Sequence, residues 1–436
     1  MLTFLKRILL RRKTVLSLIV LLLVLIMADV LIPQRYLSGQ ESLSSWQQEN
    51  NTLLLMIQFL GLDHVFTSLL FLATMSVFLL ALSLSTWDQT NLARKRTIDC
   101  GHMPKNRFIL PATAFNAVLS EIRKKGYRFQ RRTTETIRLS KNPWGYWGNA
   151  TLHLGMVVVA SGSILVALTQ QQGRLNLSDL EFFPAGASLP FQENGLLAKE
   201  FVLPFGIRLD QVKPDFWEND KTKSLVSQIT IINQDQSEIH HELGINKIVT
   251  MAGIRIYQKE TFGNSFYLVL TDQKGKAEKF RLDISHPQKR TEPAYRDFSF
   301  PEIPYTIKAK YLADSAGLSI YDVDPLLSLR LSQNDTIIGE VDLRLRQQGK
   351  LGPYQVELLG ISRWAGLAFA KLHGISLVFL GFFLIILGAF LVYCTPPREF
   401  YLQQQNDSLT IGWAAGRFPE LYIHEFDELH NLQGIK

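Results

Sequence analysis

The side chains of this 436-residue chain best suited to holding a metal or metalloporphyrin are its nine histidines and two cysteines. His153 is the sharpest candidate. It lies in LHLGMVVVASG, about 7 Å inside an apolar stretch at 1.5 Å per helical residue. An ionisable ring at that depth is costly unless it faces a cavity, a partner or a ligand. Neutral imidazole is a good axial ligand for haem iron, and it also makes helix–helix hydrogen bonds readily; the residue type alone leaves both readings open. His64 and His373 stand at the ends of two other apolar stretches, where each could meet a ligand or simply face solvent. His240 and His241 are adjacent, and neighbours along a strand point to opposite faces, so they fail as a metal site. His102, His286, His424 and His430 read as surface residues. Cys100 and Cys394 form no C-x-x-C, which argues against thiol–disulfide exchange and against haem attached covalently to this chain. There is no G-x-S-x-G, H-E-x-x-H, phosphate-cradling glycine loop or carboxylate constellation, so hydrolysis and phosphoryl transfer have no support.

These residues are positioned by four stretches of roughly 20 apolar residues, the length a helix needs to cross a bilayer: 15–32, 65–87, 148–168 and 375–394. Helix is the expected form, because lipid offers an isolated span no other way to satisfy its backbone. The third is the least hydrophobic, carrying Asn149, Thr151, His153, Ser161 and Ser163, and is expected to pack against partners. Gly155 and Gly162 are seven apart, so they share a face that another helix can approach closely. Basic residues crowd the N-terminus (Lys6, Arg7, Arg11, Arg12, Lys13) and the loop 88–147, whereas the loop from Pro33 to Asp63 has only Arg35. By the positive-inside rule the N-terminus, the loop 88–147 and the tail 395–436 are cytoplasmic, and residues 169–374 lie outside. The basic, apolar start reads as a retained anchor rather than a cleaved leader, with no A-x-A-like site after Asp29. The net charge of +7 is explained by the cytoplasmic loops; contact with anionic membrane lipid accounts for it, and no nucleic acid is implied.

The soluble parts differ in rhythm. Residues 33–61 read as a short polar loop. In the loop 88–147, Pro111 to Lys125 has helical spacing and Tyr127 to Ile137 is strand-like, a small α/β piece. Trp144 and Trp147 open the third span at an expected membrane interface. Residues 169–374 alternate in short segments such as LPFGIRLDQV, SLVSQITIIN and SFYLVLTD between polar turns, which predicts an all-β, sandwich-like domain. It has no cysteine, so its own core must hold it. The tail predicts a strand over 408–416 and then an acidic helix.

Several of these segments carry a family resemblance. GLDHVFTSLLFLATMSVFLLALSLS (61–85), WGNATLHLGMVVVASGSI (147–164), LPFGIRLD (203–210), GINKIVTMAGIRIYQKETFG (244–263) and HGISLVFLGFFLIILGAFLVYC (373–394) resemble the ResB-type proteins of System II c-type cytochrome maturation. KLHG stands before the last span, where many members have an Asp-Pro-Gly type turn. The resemblance implies four spans with a large extracytoplasmic domain between the third and fourth. It further implies a subunit, in the bacterial inner membrane, of a complex that exports haem and joins it to the Cys-x-x-Cys-His of apocytochrome c. Haem b would be bound in transit and shared with a tryptophan-rich ResC/CcsA-type membrane partner, whose motif is absent here. His153 is the expected haem-site residue, with His373 and His64 behind it; no catalytic residue is expected of this subunit alone. The alternatives are a β-domain sensor or coupling subunit of an export complex, and, with no nucleophile or metal set to support it, an enzyme acting on lipid or envelope polymers.

Overall fold

A computed structural model describes residues 2–34, 46, 51–99, 102–132, 136–333, 336–405 and 407–431; Cys100, Arg35 and part of the first interspan loop lie outside them. Four helices are long and apolar enough to cross a membrane: α1 (Arg12–Leu31), α2 (Leu69–Ile98), α3 (Gly148–Thr169) and α4 (Ile375–Tyr393). The chain is thus a multi-pass membrane protein with a large β-rich domain between its third and fourth spans, as the hydropathy predicts. It divides into two compact units, Met1–Leu168 with His373–Lys436, and Thr169–Leu372.

In the first unit, α2 starts later and ends later than the apolar run suggests. Val65–Thr67 is a 3-10 turn, and Ser68 caps the helix, its side chain accepting from Phe71 N–H at 3.2 Å. Nothing in TWDQTNLARKRTI breaks a helix, and Lys95 and Arg96 suit the negative end of its dipole. Thirty residues make about 45 Å of helix, longer than a hydrocarbon layer of about 30 Å.

The expected close approach to α3 is made by α4. Gly148, Gly155 and Gly162 of α3 meet Gly388, Gly381 and Gly374, a second series at the same spacing running the opposite way. A Cβ at Gly155 would lie 2.7 Å from Ile385 N and 2.8 Å from Gly381 O; one at Gly162 would lie 3.0 Å from Val378 N. Backbone therefore touches backbone along the whole pair.

Beyond these helix ends the unit carries a five-stranded antiparallel sheet in the order Arg107–Pro111, Ser408–Ala415, Arg398–Gln405, Thr136–Lys141, Arg128–Arg132. Helices Phe115–Lys124 and His424–Asn431 contribute to a core of Phe108, Ile122, Tyr127, Leu139, Phe400 and Trp413. The tail is not a separate appendage: its two strands are the middle of the sheet. The polar-loop reading of 33–61 is also corrected, because Asn51–Leu60 (NTLLLMIQFL) is a helix with no charged residue.

The second unit is sandwich-like, with open sheets. A seven-stranded sheet is built on two 18-residue strands, Ile254–Thr271 and Tyr354–Lys371, paired antiparallel with a bulge between Gln258 and Phe262. Alternation along these strands fills two cores in succession. Ile256, Leu367 and Phe369 join Ile207, Leu209, Ile229 and Ile231 of one four-stranded sheet; Phe266, Leu268, Val356 and Leu358 join Ile307, Leu329 and Leu331 of the other.

Candidate functional site at the span ends

His64 sits in the turn that feeds α2. Gln34, just past α1, holds this turn: its side-chain amide donates to Ile32 O and Leu62 O, both at 2.9 Å, and its carbonyl oxygen accepts from Val65 N–H at 3.2 Å. Leu62 and Val65 pack with Leu22, Leu25, Ala28 and Phe71 of the two spans. Gly61 takes φ +66°, and a Cβ there would press on Ser68 at 2.8 Å and on the His64 ring at 3.2 Å, so only glycine lets the ring lie against the turn. The His64 ring donates from Nδ1 to Asp63 Oδ1 at 2.7 Å; Asp63 is buried and the ring is about one-third exposed. A carboxylate at one ring nitrogen fixes the tautomer and makes the other nitrogen, Nε2, a better ligand for a metal. The turn is flanked by exposed apolar side chains: Phe59, Phe66 and Leu69.

His153 is half-buried on the side of α3 away from its glycines. Its Nδ1 lies 3.4 Å from Ser85 Oγ of α2, so the ring meets a neighbouring span rather than bare lipid. His373 is exposed, immediately before Gly374, which approaches Gly162 O of α3. The structure does not gather the three. His64 lies at the start of α2 and His153 beside its middle, since Leu69 and Ser85 are roughly 24 Å apart along the axis. His373 stands level with Gly162, about 13 Å along α3 from His153. No group of three His, Cys, Asp or Glu able to hold a metal ion occurs among the described residues.

Two polar centres escaped the sequence reading. One lies where α2 ends and α3 begins. Arg138, almost wholly buried, donates to Arg96 O at 2.7 Å and to Asp99 O, capping α2; its other nitrogen reaches Tyr146 at 2.9 Å and Glu399 at 2.7 Å. Tyr146 and Tyr401 also donate to Glu399. The only hint was one arginine in a strand otherwise facing a core.

The other corrects the surface reading of His286. Its ring is buried between Phe216 and Phe262, with ring centres 5.2 Å away on each side. Nε2 donates to Ile320 O at 2.9 Å, and Nδ1 is 3.9 Å from Asp322. Asp322 also accepts from Tyr311 and from Arg363 at 3.1 Å, and Asn264 donates to Tyr311 at 2.7 Å. Burial lowers the His286 pKa and raises that of Tyr311. The polar neighbours in SHPQKR suggested solvent; the stacking rings come from distant strands.

Four apolar helices and a β-rich insertion before the last define a multi-pass membrane protein. The chain belongs to the ResB-like family, whose model matches residues 12–336. It is 23% identical over 395 residues to cytochrome c biogenesis protein CcsB of Synechococcus sp. (strain JA-2-3B'a(2-13)), covering 86% of this chain and 80% of that one. The protein of the same name from Nostoc sp. (strain PCC 7120 / SAG 25.82 / UTEX 2576) is 22% identical over 374 residues, 83% of this chain and 77% of its own. Among solved structures, cytochrome c heme lyase CcmF aligns with 87% of this chain and 39% of its own at 10% identity; the TM-score of 0.24 is too low to indicate a shared fold.

Proposed function

We propose that this chain serves cytochrome c maturation as a haem-handling subunit of a membrane complex. In this reading it sits in the bacterial cytoplasmic membrane with both termini and the five-stranded sheet inside, and the β domain outside. Its partners are a tryptophan-rich membrane protein of ResC/CcsA type and apocytochrome c. Haem b is cargo in transit, and thioether formation belongs to the assembled complex.

The observation that carries the reading is the His64–Asp63 pair. Asp63 occupies Nδ1 and leaves Nε2 available to iron, while Phe66, in the same turn, offers an exposed apolar side chain of the kind a porphyrin face requires. His153, bonded to Ser85 between two spans, and His373, at the head of α4, are the next residues to test. Co-expression with the partner and an apocytochrome, read by visible absorbance of the purified complex and by holocytochrome yield, decides the matter. His64→Ala is expected to lose haem. Asp63→Asn is expected to lower haem affinity by about 10–100-fold, the usual cost of removing a ligand's orienting carboxylate. Full haem content and full yield in His64→Ala would end the role assigned to His64.

A further inference from the structure

The helix Asn51–Leu60 ends against the His64 turn: Leu62 N–H donates to Ile57 O at 2.9 Å and Gly61 N–H to Gln58 O at 3.3 Å. At 10 residues it is about 15 Å long, half of what a span needs. Ile57 is buried, but Leu55, Met56 and Phe59 are 77, 61 and 89% exposed. In a helix, positions 55, 56 and 59 fall on one face, opposite Ile57. No charged residue interrupts the segment. An apolar face of this kind is not stable in water and needs a covering.

Its surroundings identify that covering. Leu62 and Val65, directly after the helix, cluster with Leu22, Leu25 and Ala28 in the second half of α1 and Phe71 near the start of α2. The helix is thereby moored where two spans leave the apolar layer. Val30 and Leu31 at the end of α1, and Leu69 at the start of α2, are each more than two-thirds exposed at the same level. The face of Leu55, Met56 and Phe59 continues that lipid-directed surface. We propose that Asn51–Leu60 is a half-inserted helix, with Leu55, Met56 and Phe59 among the acyl chains of the leaflet where α1 ends and α2 begins. It holds the turn carrying Asp63 and His64 at the depth of the headgroups. The assignment does not depend on any role for His64.

Spin labels test it in the full-length chain reconstituted in phosphatidylcholine–phosphatidylglycerol vesicles. Cys100 and Cys394 are replaced by serine, and single cysteines are placed at Leu55, Met56, Phe59 and, as a protein-packed control, Ile57. The expected result is a ratio of oxygen to nickel-chelate collisions several-fold higher at 55, 56 and 59 than in an aqueous loop, with little collision by either reagent at 57. Dominant nickel-chelate collision at the three positions means a face open to water and overturns the proposal. Immobilised labels reached by neither reagent mean that protein covers the face and overturn it equally.

Discussion

The packing of α3 on α4 makes a quantitative prediction. At Gly155 an added Cβ would meet Ile385 N at 2.7 Å and Gly381 O at 2.8 Å; at Gly381 it would meet Val159 N at 2.7 Å and Gly155 O at 2.8 Å. Comfortable heavy-atom contacts lie near 3.5 Å or beyond, so one methyl group forces the helix axes apart by about 0.7–1 Å. A gap of that size forfeits a quarter to a half of each dispersion contact it opens, and overpacking usually costs about 1–3 kcal/mol. Alanine recovers up to about 1 kcal/mol of helix propensity over glycine. The net loss expected for Gly155→Ala is about 1 kcal/mol, roughly fivefold in the folding equilibrium. Gly381→Ala should cost the same. Because one displacement relieves both clashes, the double variant should cost clearly less than the sum. Unfolding of the whole chain in mixed micelles with rising dodecyl sulfate, followed by circular dichroism, measures all three. The reasoning is refuted if Gly155→Ala is more stable than the parent, as an unpacked helical glycine would allow, or if the two costs simply add.

Three other outcomes follow from the polar centres and one strained turn. Burial holds the His286 pKa below its ordinary value of 6.5, against the pull of Asp322 and with the help of Arg363. The stability this contributes is therefore present above about pH 6.5 and is lost as pH falls from there towards the folded-state value; His286→Leu should flatten the thermal stability of the β domain over that range, and an unchanged slope would be a failure. Arg138→Met strands Glu399 in a buried site and should destabilise the five-stranded domain by about 3–5 kcal/mol, seen as faster proteolysis of the tail, with Glu399→Leu in the same chain restoring much of the loss. Leu180, three-quarters exposed, is held at φ +67°, so Leu180→Gly should raise β-domain stability by roughly 0.5–1 kcal/mol in thermal unfolding; a fall would show that the turn needs the leucine.

Local pattern made the spans, the β domain and the glycine face of α3 legible before any coordinates, because hydropathy, two-residue alternation and seven-residue spacing are properties of contiguous chain. The same logic explains the misses. The end of α2 carries a polar helical extension that no hydropathy window includes. Arg398–Gln405 takes its meaning from Thr136–Lys141, its partner across the whole β domain. His286 owes its burial to Phe216 and Phe262, and Arg138 its role to a helix end and a tail glutamate, so neither could be ranked from its neighbours. His64 was visible as a residue, but the aspartate beside it gained weight only when the ring was seen to donate to it.

The middle of the five-stranded sheet arrives last. Arg128–Arg132 and Thr136–Lys141 leave the ribosome early, yet the strands that complete their core follow some 250 residues later, after the β domain and α4. At the usual 5–20 residues per second, half a domain waits for on the order of 10–50 s with its apolar side uncovered. A chain stopped before residue 398 can insert its spans but cannot close this domain. Exposed apolar surface on the first half would therefore mark an unfinished molecule for chaperones and proteases, and the last strands act as a completion seal.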